Sequence, residues 1–158
     1  MRTNIPNIFA CGDCAEKYCI ITRQPTYIGL GTIANKEGRV AAINAVDIEH
    51  FENFDGVLKS TITRFFDYTI SKTGLSMQEA LMNQEKINLE PISATIEKND
   101  KAGYMPGVNK LTLKLIADKR SGELLGAQGI GCVGNIAQRI NTITSALKSE
   151  LSLEVVGL

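Results

Sequence analysis

The stretch from Lys110 to Ile130 constrains the fold of this chain more than any other. Leu111, Leu113, Leu115 and Ala117 alternate with Lys110, Thr112, Lys114 and Ile116, the two-residue period of a strand with one buried face. Asp118-Lys119-Arg120-Ser121-Gly122 is a polar turn, and Glu123 to Ile130 returns as a partner strand. The two strands form a hairpin, and strands joined by so short a turn must pair antiparallel. An amphipathic helix follows, with Ile136, Ile140, Ile143 and Leu147 on its core side. Strands that pair locally, with helices between and after them, predict an α+β domain with a mainly antiparallel sheet rather than a parallel βαβ sheet.

The segments before the hairpin fit the same class. Ile62, Phe66, Tyr68 and Ile70 share one side of a period-2 pattern, with Thr61, Thr63, Thr69 and Ser71 on the other, which predicts one half-buried strand. Ser76 with Glu79 three residues on predicts a capping box and a short helix to about Gln84. Ile87 to Ile96 reads as a further strand, with Pro91 on an edge or bulge. Ser152 is placed to cap one more helix.

The first third of the chain has a different character. Asn7 to Cys11 reads as a strand running into Gly12-Asp13, and Gly31 to Ala45 carries a helical pattern. Ala34, Gly38, Ala41, Ala42 and Ala45 fall on one face of that helix. Every residue on this face is small, which suits close approach to a sheet or a flat ligand and equally suits tight packing. Between Asp47 and Gly56 the pattern turns polar and aromatic, and a domain boundary is placed there: residues 1–50 on one side, 51–158 on the other.

Bulk properties narrow the function classes. Lys plus Arg and Asp plus Glu both total 17 of 158 residues, so no excess charge directs the chain to nucleic acid or an anionic membrane. No apolar run approaches the ~18 residues that span a bilayer. The N-terminal residues lack the apolar stretch of a signal peptide, and the chain is expected to be cytoplasmic. Cys11, Cys14, Cys19 and Cys132 are then expected as reduced thiols, most of them buried as small hydrophobes. Cys11-Gly12-Asp13-Cys14 has the C-x-x-C spacing of a redox pair or half a zinc site. A zinc site needs two further ligands at suitable spacing, and only Cys19, Cys132 and His50 remain, so no metal is expected.

Gly129-Ile130-Gly131-Cys132-Val133-Gly134 matches G-x-G-x-x-G between a strand and a helix, with Glu154 about twenty residues on. A dinucleotide-binding half needs several parallel strands, which the remaining chain cannot supply. The glycines are better read as letting the second hairpin strand twist and approach a neighbour closely.

Several blocks in order resemble the pyridine nucleotide-disulfide oxidoreductases. Thr3-Asn4-Ile5-Pro6-Asn7-Ile8-Phe9-Ala10-Cys11-Gly12-Asp13-Cys14 is similar to the family's second flavin motif, a threonine followed by a short strand ending in Gly-Asp. Tyr27 to Arg39 resembles the helix that follows that motif. Ala102-Gly103-Tyr104-Met105-Pro106-Gly107 and Gly122 to Gln128 resemble blocks of the C-terminal dimerisation domain. The nearest branch is the single-cysteine group of NADH oxidases, NADH peroxidases and coenzyme A-disulfide reductases.

The resemblance implies the end of an FAD-binding domain followed by a dimerisation domain: a fragment of an FAD-dependent, NAD(P)H-linked enzyme, not catalytic alone. It implies that Asp13 accepts hydrogen bonds from flavin ribityl hydroxyls. Backbone N–H groups of Leu30, Gly31 and Thr32 would face the flavin pyrimidine edge, where a helix start favours negative charge. It also implies a homodimer, with Tyr104 reaching toward the partner's flavin site. NAD(P)H would bind through a domain absent from these residues. The competing reading is a stand-alone dimeric interaction module without redox activity.

Overall fold

The computed structural model describes residues 1–47, 49, 51–132 and 135–149. The described chain forms two compact units, Met1–Val57 and Leu58–Leu158. The fold class is α+β, with antiparallel sheets.

In the first unit, Met1 and Thr3 pair with Ala10 and Ile8 through backbone bonds, closing a small loop over Asn4 to Asn7. The strand expected over Asn7 to Cys11 is thereby reduced to a single bridge between Arg2 and Phe9. Asn7 itself has φ +64, a turn conformation that an extended strand does not accommodate. A 3-10 turn at Gly12–Cys14 follows, then two short antiparallel strands, β1 (Lys17–Tyr18) and β2 (Pro25–Thr26), and helix α1 (Gly31–Val46). Val57 closes the unit by bridging Cys19.

The small-residue face expected on α1 is only partly packed. Ala42 and Ala45 are exposed, and the buried stripe is Glu37, Val40, Ala41 and Asn44. Its two polar members are buried because each has backbone partners outside the helix. Asn44 exchanges two hydrogen bonds of 2.8 Å with the backbone of Glu52, and Glu37 accepts the Gly12 N–H at 2.7 Å.

The second unit is a five-stranded antiparallel sheet, in spatial order β3-β4-β7-β6-β5. The strands are β3 (Thr61–Phe65), β4 (Tyr68–Gly74), β5 (Pro91–Asn99), β6 (Lys110–Asp118) and β7 (Leu124–Cys132). Helix α2 (Met77–Asn83) lies between β4 and β5 in sequence, and α3 (Asn135–Lys148) follows β7. The expected β6–β7 hairpin is present, with Leu113 opposite Gly129 and Leu115 opposite Ala127 and a shift of register between Ile116 and Ala117. Its turn is held by Asp118, whose carboxylate accepts from the Ser121 N–H and hydroxyl, and Gly122 supplies φ +71. The capping box is present: Glu79 N–H donates to the Ser76 hydroxyl and Ser76 N–H to the Glu79 carboxylate. Pro91 opens the edge strand β5, later than the expected start at Ile87.

The single strand expected across residues 61–71 is two. The chain reverses over Phe66-Asp67, with Phe65 opposite Tyr68, Thr63 opposite Ile70 and Ile62 opposite Ser71. A two-residue turn changes which parity faces the core, so Ile62 and Ile70, expected on one side, lie on opposite faces of the sheet. Phe66 takes φ +52 at this turn, a conformation that the usual turn residues Gly and Asn would have announced.

Helix α3 covers one face. Ile136, Ile140, Ile143 and Leu147 are all buried, as the helical period predicts, with α3 packed against β4 and β7. A Cβ on Gly129 would stand 2.5 Å from the Ile136 side chain, so the glycine admits the helix. Both neighbours of β7 run antiparallel to it, which removes the parallel framework that a dinucleotide fingerprint requires. Gly134 and Glu154 of that pattern, the Ser152 cap and His50 lie outside the described residues.

On the other face, α2 covers one end. The Leu75 backbone lies directly on Gly126, where a Cβ would come within 2.1 Å of the Leu75 carbonyl oxygen. Ile116, beside Gly126 in register, is fully buried. It does point away from the Leu111 face, as the alternation predicts. Being fully buried, it adds nothing to an exposed apolar surface.

Candidate functional site

The 3-10 turn carrying Asp13 is fixed to α1 at several points. Gly12 has φ +74, and a Cβ there would contact the Cβ of Ala34 at 3.5 Å, so a small residue on each side lets turn and helix meet. Glu37 Oε2 takes the Gly12 N–H and pairs with Lys17 Nζ at 3.4 Å. Lys17 also donates to the carbonyls of Gly12 and Ala15. Both side chains are almost wholly buried, and Glu37 Oε1 accepts no hydrogen bond among the described residues. A buried ion pair is tolerated only with hydrogen bonds that replace water. Here the replacing partners are mostly backbone groups of the turn itself, so the pair fixes the turn's position.

The turn sets Asp13, which is exposed, beside the residue preceding Leu30. A Cβ on Gly29 would stand 3.1 Å from Asp13 Oδ2 and 3.1 Å from the Tyr27 hydroxyl. The missing side chain therefore leaves a gap bordered by a carboxylate, a phenol and the beginning of α1. That helix start has no side-chain cap at Leu30 and no acidic residue in its first turn. The Ile33 and Ala34 N–H groups bond the Leu30 carbonyl, while among the described residues Gly31 and Thr32 donate to no backbone acceptor. Nothing would crowd a side chain on Gly31. Uncapped N–H groups at a helix start carry partial positive charge and favour an electron-rich ligand. Asp13, Leu30, Gly31 and Thr32 are thus brought together. Tyr27 and Gly29 join them, signalled in the sequence only by a glycine just before the helix.

Tyr104 belongs to the second unit, on the 100–109 loop between β5 and β6, and is 91% exposed. The loop is closed at its base by the Asp100 N–H to the Asn109 carbonyl and the Asn109 N–H to the Asp100 carboxylate.

The second unit also presents an apolar surface that the sequence pattern did not place. On the face opposite α3, at the end away from α2, register aligns Phe65, Tyr68 and Cys132 in one row and Thr63, Ile70, Ile130 and Thr112 in the next. Phe65 is 63% exposed, Tyr68 49%, Ile70 41% and Ile130 40%. Phe66, at the adjoining turn, stacks edge-on against Phe65 with centroids 4.6 Å apart.

The thiols depart from expectation. Only Cys19 is buried; Cys11 and Cys132 are half-buried and Cys14 is exposed, and all four are free. Among the described residues no cluster of three or more His, Cys, Asp or Glu side chains is arranged to hold a metal. No helix there is long and apolar enough to cross a membrane.

Comparison with known proteins bears on the whole chain. Residues 60–157 match the family described as the pyridine nucleotide-disulphide oxidoreductase dimerisation domain. An NAD(P)H sulfur oxidoreductase (CoA-dependent) of Pyrococcus furiosus is 36% identical, over 93% of this chain and 31% of that protein. The solved structure of an NAD-dependent persulfide reductase from A. fulgidus superposes with a TM-score of 0.88 at 33% identity, over 98% of this chain and 27% of the other. That of an FAD-dependent pyridine nucleotide-disulphide oxidoreductase from Desulfovibrio vulgaris gives 0.79 at 28% identity, over 98% and 35%. The chain thus spans about a third of the length of the curated relatives it matches. With most of the second unit inside the matched region, the chain belongs to the pyridine nucleotide-disulphide oxidoreductase dimerisation-domain family.

Proposed function

We propose that this chain supplies the homodimer contact and part of the flavin site of an FAD-dependent, NAD(P)H-linked oxidoreductase, and is not catalytic by itself. The observation that carries this reading is the open apolar face formed by Phe65, Tyr68, Ile70 and Ile130. A contiguous apolar surface of this kind marks an interface, and closed two-fold pairing covers it with one patch used twice. Residues 1–50 are read as the end of the FAD-binding domain and 51–158 as the dimerisation domain.

The flavin part of the reading rests on the first unit. Asp13 offers acceptors for ribityl hydroxyls. The gap left by Gly29 admits a planar group beside Asp13 and Tyr27, and the N–H groups at Leu30, Gly31 and Thr32 suit the electron-rich edge of a flavin. These residues fit the cofactor. Bound there, FAD would supply the electron-carrying chemistry, while this chain's residues bind and orient it. NAD(P)H would bind elsewhere in the larger enzyme. Tyr104, exposed on its loop, is assigned to a cross-dimer contact at the partner's flavin site. In the full-length enzyme Tyr104→Phe is expected to raise KM, and unchanged turnover and KM would remove that role. The enzyme is placed in the cytoplasm, with no nucleic-acid, membrane or metal partner.

Sedimentation of the chain at about 10 μM tests the central claim. An interface of this class buries on the order of 2,000 Å² and should hold a dimer at that concentration, whereas a purely monomeric boundary would overturn the reading.

A further inference from the structure

Cys11 and Cys14 take no part in the reading above, and neither is packed away. Cys14 is exposed and Cys11 half-buried, while Cys19 is 2% exposed. The two flank the Gly12-Asp13 step of a 3-10 turn, with Cys11 as its N-cap. Cys11 is extended and Gly12 has φ +74 where the turn begins. Cys14 Sγ already folds back over Cys11, donating to its carbonyl oxygen at 3.3 Å. Cys11 Sγ lies against α1 at Gly38, where the nearest atom to an added Cβ is that sulfur, at 4.0 Å. No side chain is interposed from Gly38, so the helix backs the Cys11 thiol.

We propose that Cys11 and Cys14 are a reversible dithiol–disulfide pair that exchanges with small-molecule disulfides, Cys14 attacking and Cys11 resolving. The Cys14 thiolate, its proton released to solvent, attacks one sulfur of a disulfide RSSR. The RS–SR bond breaks, a mixed disulfide forms on Cys14, and the departing thiolate takes a proton. The Cys11 thiolate then attacks Cys14 Sγ and expels the second RS group, which is also protonated. Two protein thiols are oxidised to one disulfide and RSSR is reduced to two thiols, so protons and electrons balance. A loop of four residues gains little from chain closure, which keeps the bond easy to reduce. The exchange needs neither flavin nor the remainder of a larger enzyme.

The test uses the complete chain, reduced and freed of reductant, then exposed to glutathione disulfide, quenched with iodoacetamide and mapped by mass spectrometry. Cys11 and Cys14 should become protected together, joined within one peptide and carrying almost no glutathione. In Cys11→Ser, Cys14 should retain glutathione as a stable mixed disulfide at about ten times the wild-type level. In Cys14→Ser, Cys11 should acquire it about tenfold more slowly than Cys14 does in Cys11→Ser. The proposal is overturned if wild type keeps glutathione on Cys14 as fully as Cys11→Ser does. It is equally overturned if Cys14 couples to Cys19 or Cys132, or if neither thiol reacts where a short cysteine peptide does.

Discussion

The open sheet face lends itself to a quantitative test. Ile70 on β4 and Ile130 on β7 stand opposite each other in register, each about two-fifths exposed. Burying a whole isoleucine side chain is worth about 1.5–3 kcal/mol, so covering the exposed fraction of either contributes about 0.6–1.2 kcal/mol. A two-fold interface uses each residue twice, which gives about 2.5–5 kcal/mol for both positions together. Ile70→Thr with Ile130→Thr keeps a β-branched side chain at each site and should leave the strands intact. The dimer dissociation constant should rise by between about fifty-fold and three-thousand-fold, at about 1.4 kcal/mol per tenfold. Ile62→Thr is the control: the same chemical change in the same sheet, on the other face, where Ile62 lines a groove with Ala137, Ile140 and Asn141 of α3. Sedimentation velocity over a dilution series, with circular dichroism to verify the fold, reads all three proteins. If the double variant dimerises within threefold of wild type, or if Ile62→Thr weakens the dimer as much, the open face is not the interface.

Gly126→Ala should destabilise the chain by about 2–4 kcal/mol, since the new methyl meets the immobile Leu75 backbone and must break the Leu75 N–H to Leu125 carbonyl bond. Gly122→Ala, with open space but φ +71, should cost about 1 kcal/mol; urea unfolding at one fixed protein concentration that ranks the two alike would contradict this account. Glu79 loses some ionisation to partial burial, but the Lys59 and Ser76 hydrogen bonds and the Lys59 charge outweigh that and lower its pKa to about 2. A folded pKa below the unfolded ~4.3 stabilises above that value and is lost as pH falls toward 2. Glu79→Gln should therefore be less stable than wild type by roughly 1–2 kcal/mol at pH 7, discounted for solvent screening, with the gap closing toward pH 2; a gap independent of pH would refute it. The isolated chain should not bind FAD tightly, because few of its groups reach the cofactor; submicromolar affinity by calorimetry would show the flavin reading to be too modest.

What the sequence announced depends on how far apart the interacting groups are. The β6–β7 hairpin and the buried stripe of α3 were legible because alternation and the helical period report a side chain's neighbours two, three or four residues away. The Ser76–Glu79 box was legible for the same reason, being a local exchange between side chains and backbone. The β3–β4 reversal was not, because Phe66 occupies a left-handed position without the glycine or asparagine that usually marks one. That single turn moved Ile70 to the open face and so hid the apolar patch. Ile116 misled in the opposite direction: it is fully buried, and on its register partner Gly126 lies the Leu75 backbone, from a distant part of the chain.

In the candidate site the legible part was the order of the blocks, which placed Asp13 before the uncapped start of α1. Their actual meeting depends on groups that no periodicity reports. A glutamate inside α1 reaches back to the Gly12 N–H, and a buried lysine ties the same turn at two carbonyls. Glu37 carries no signal of its own in the sequence and is fully buried, with the Gly12 N–H and Lys17 as partners of its Oε2. The helix stripe and the Asp13 turn are therefore one structure: removing the carboxylate from Glu37 would leave Lys17 buried with fewer partners and the Gly12 N–H without one. A site built in this way becomes visible only when the two segments are seen together.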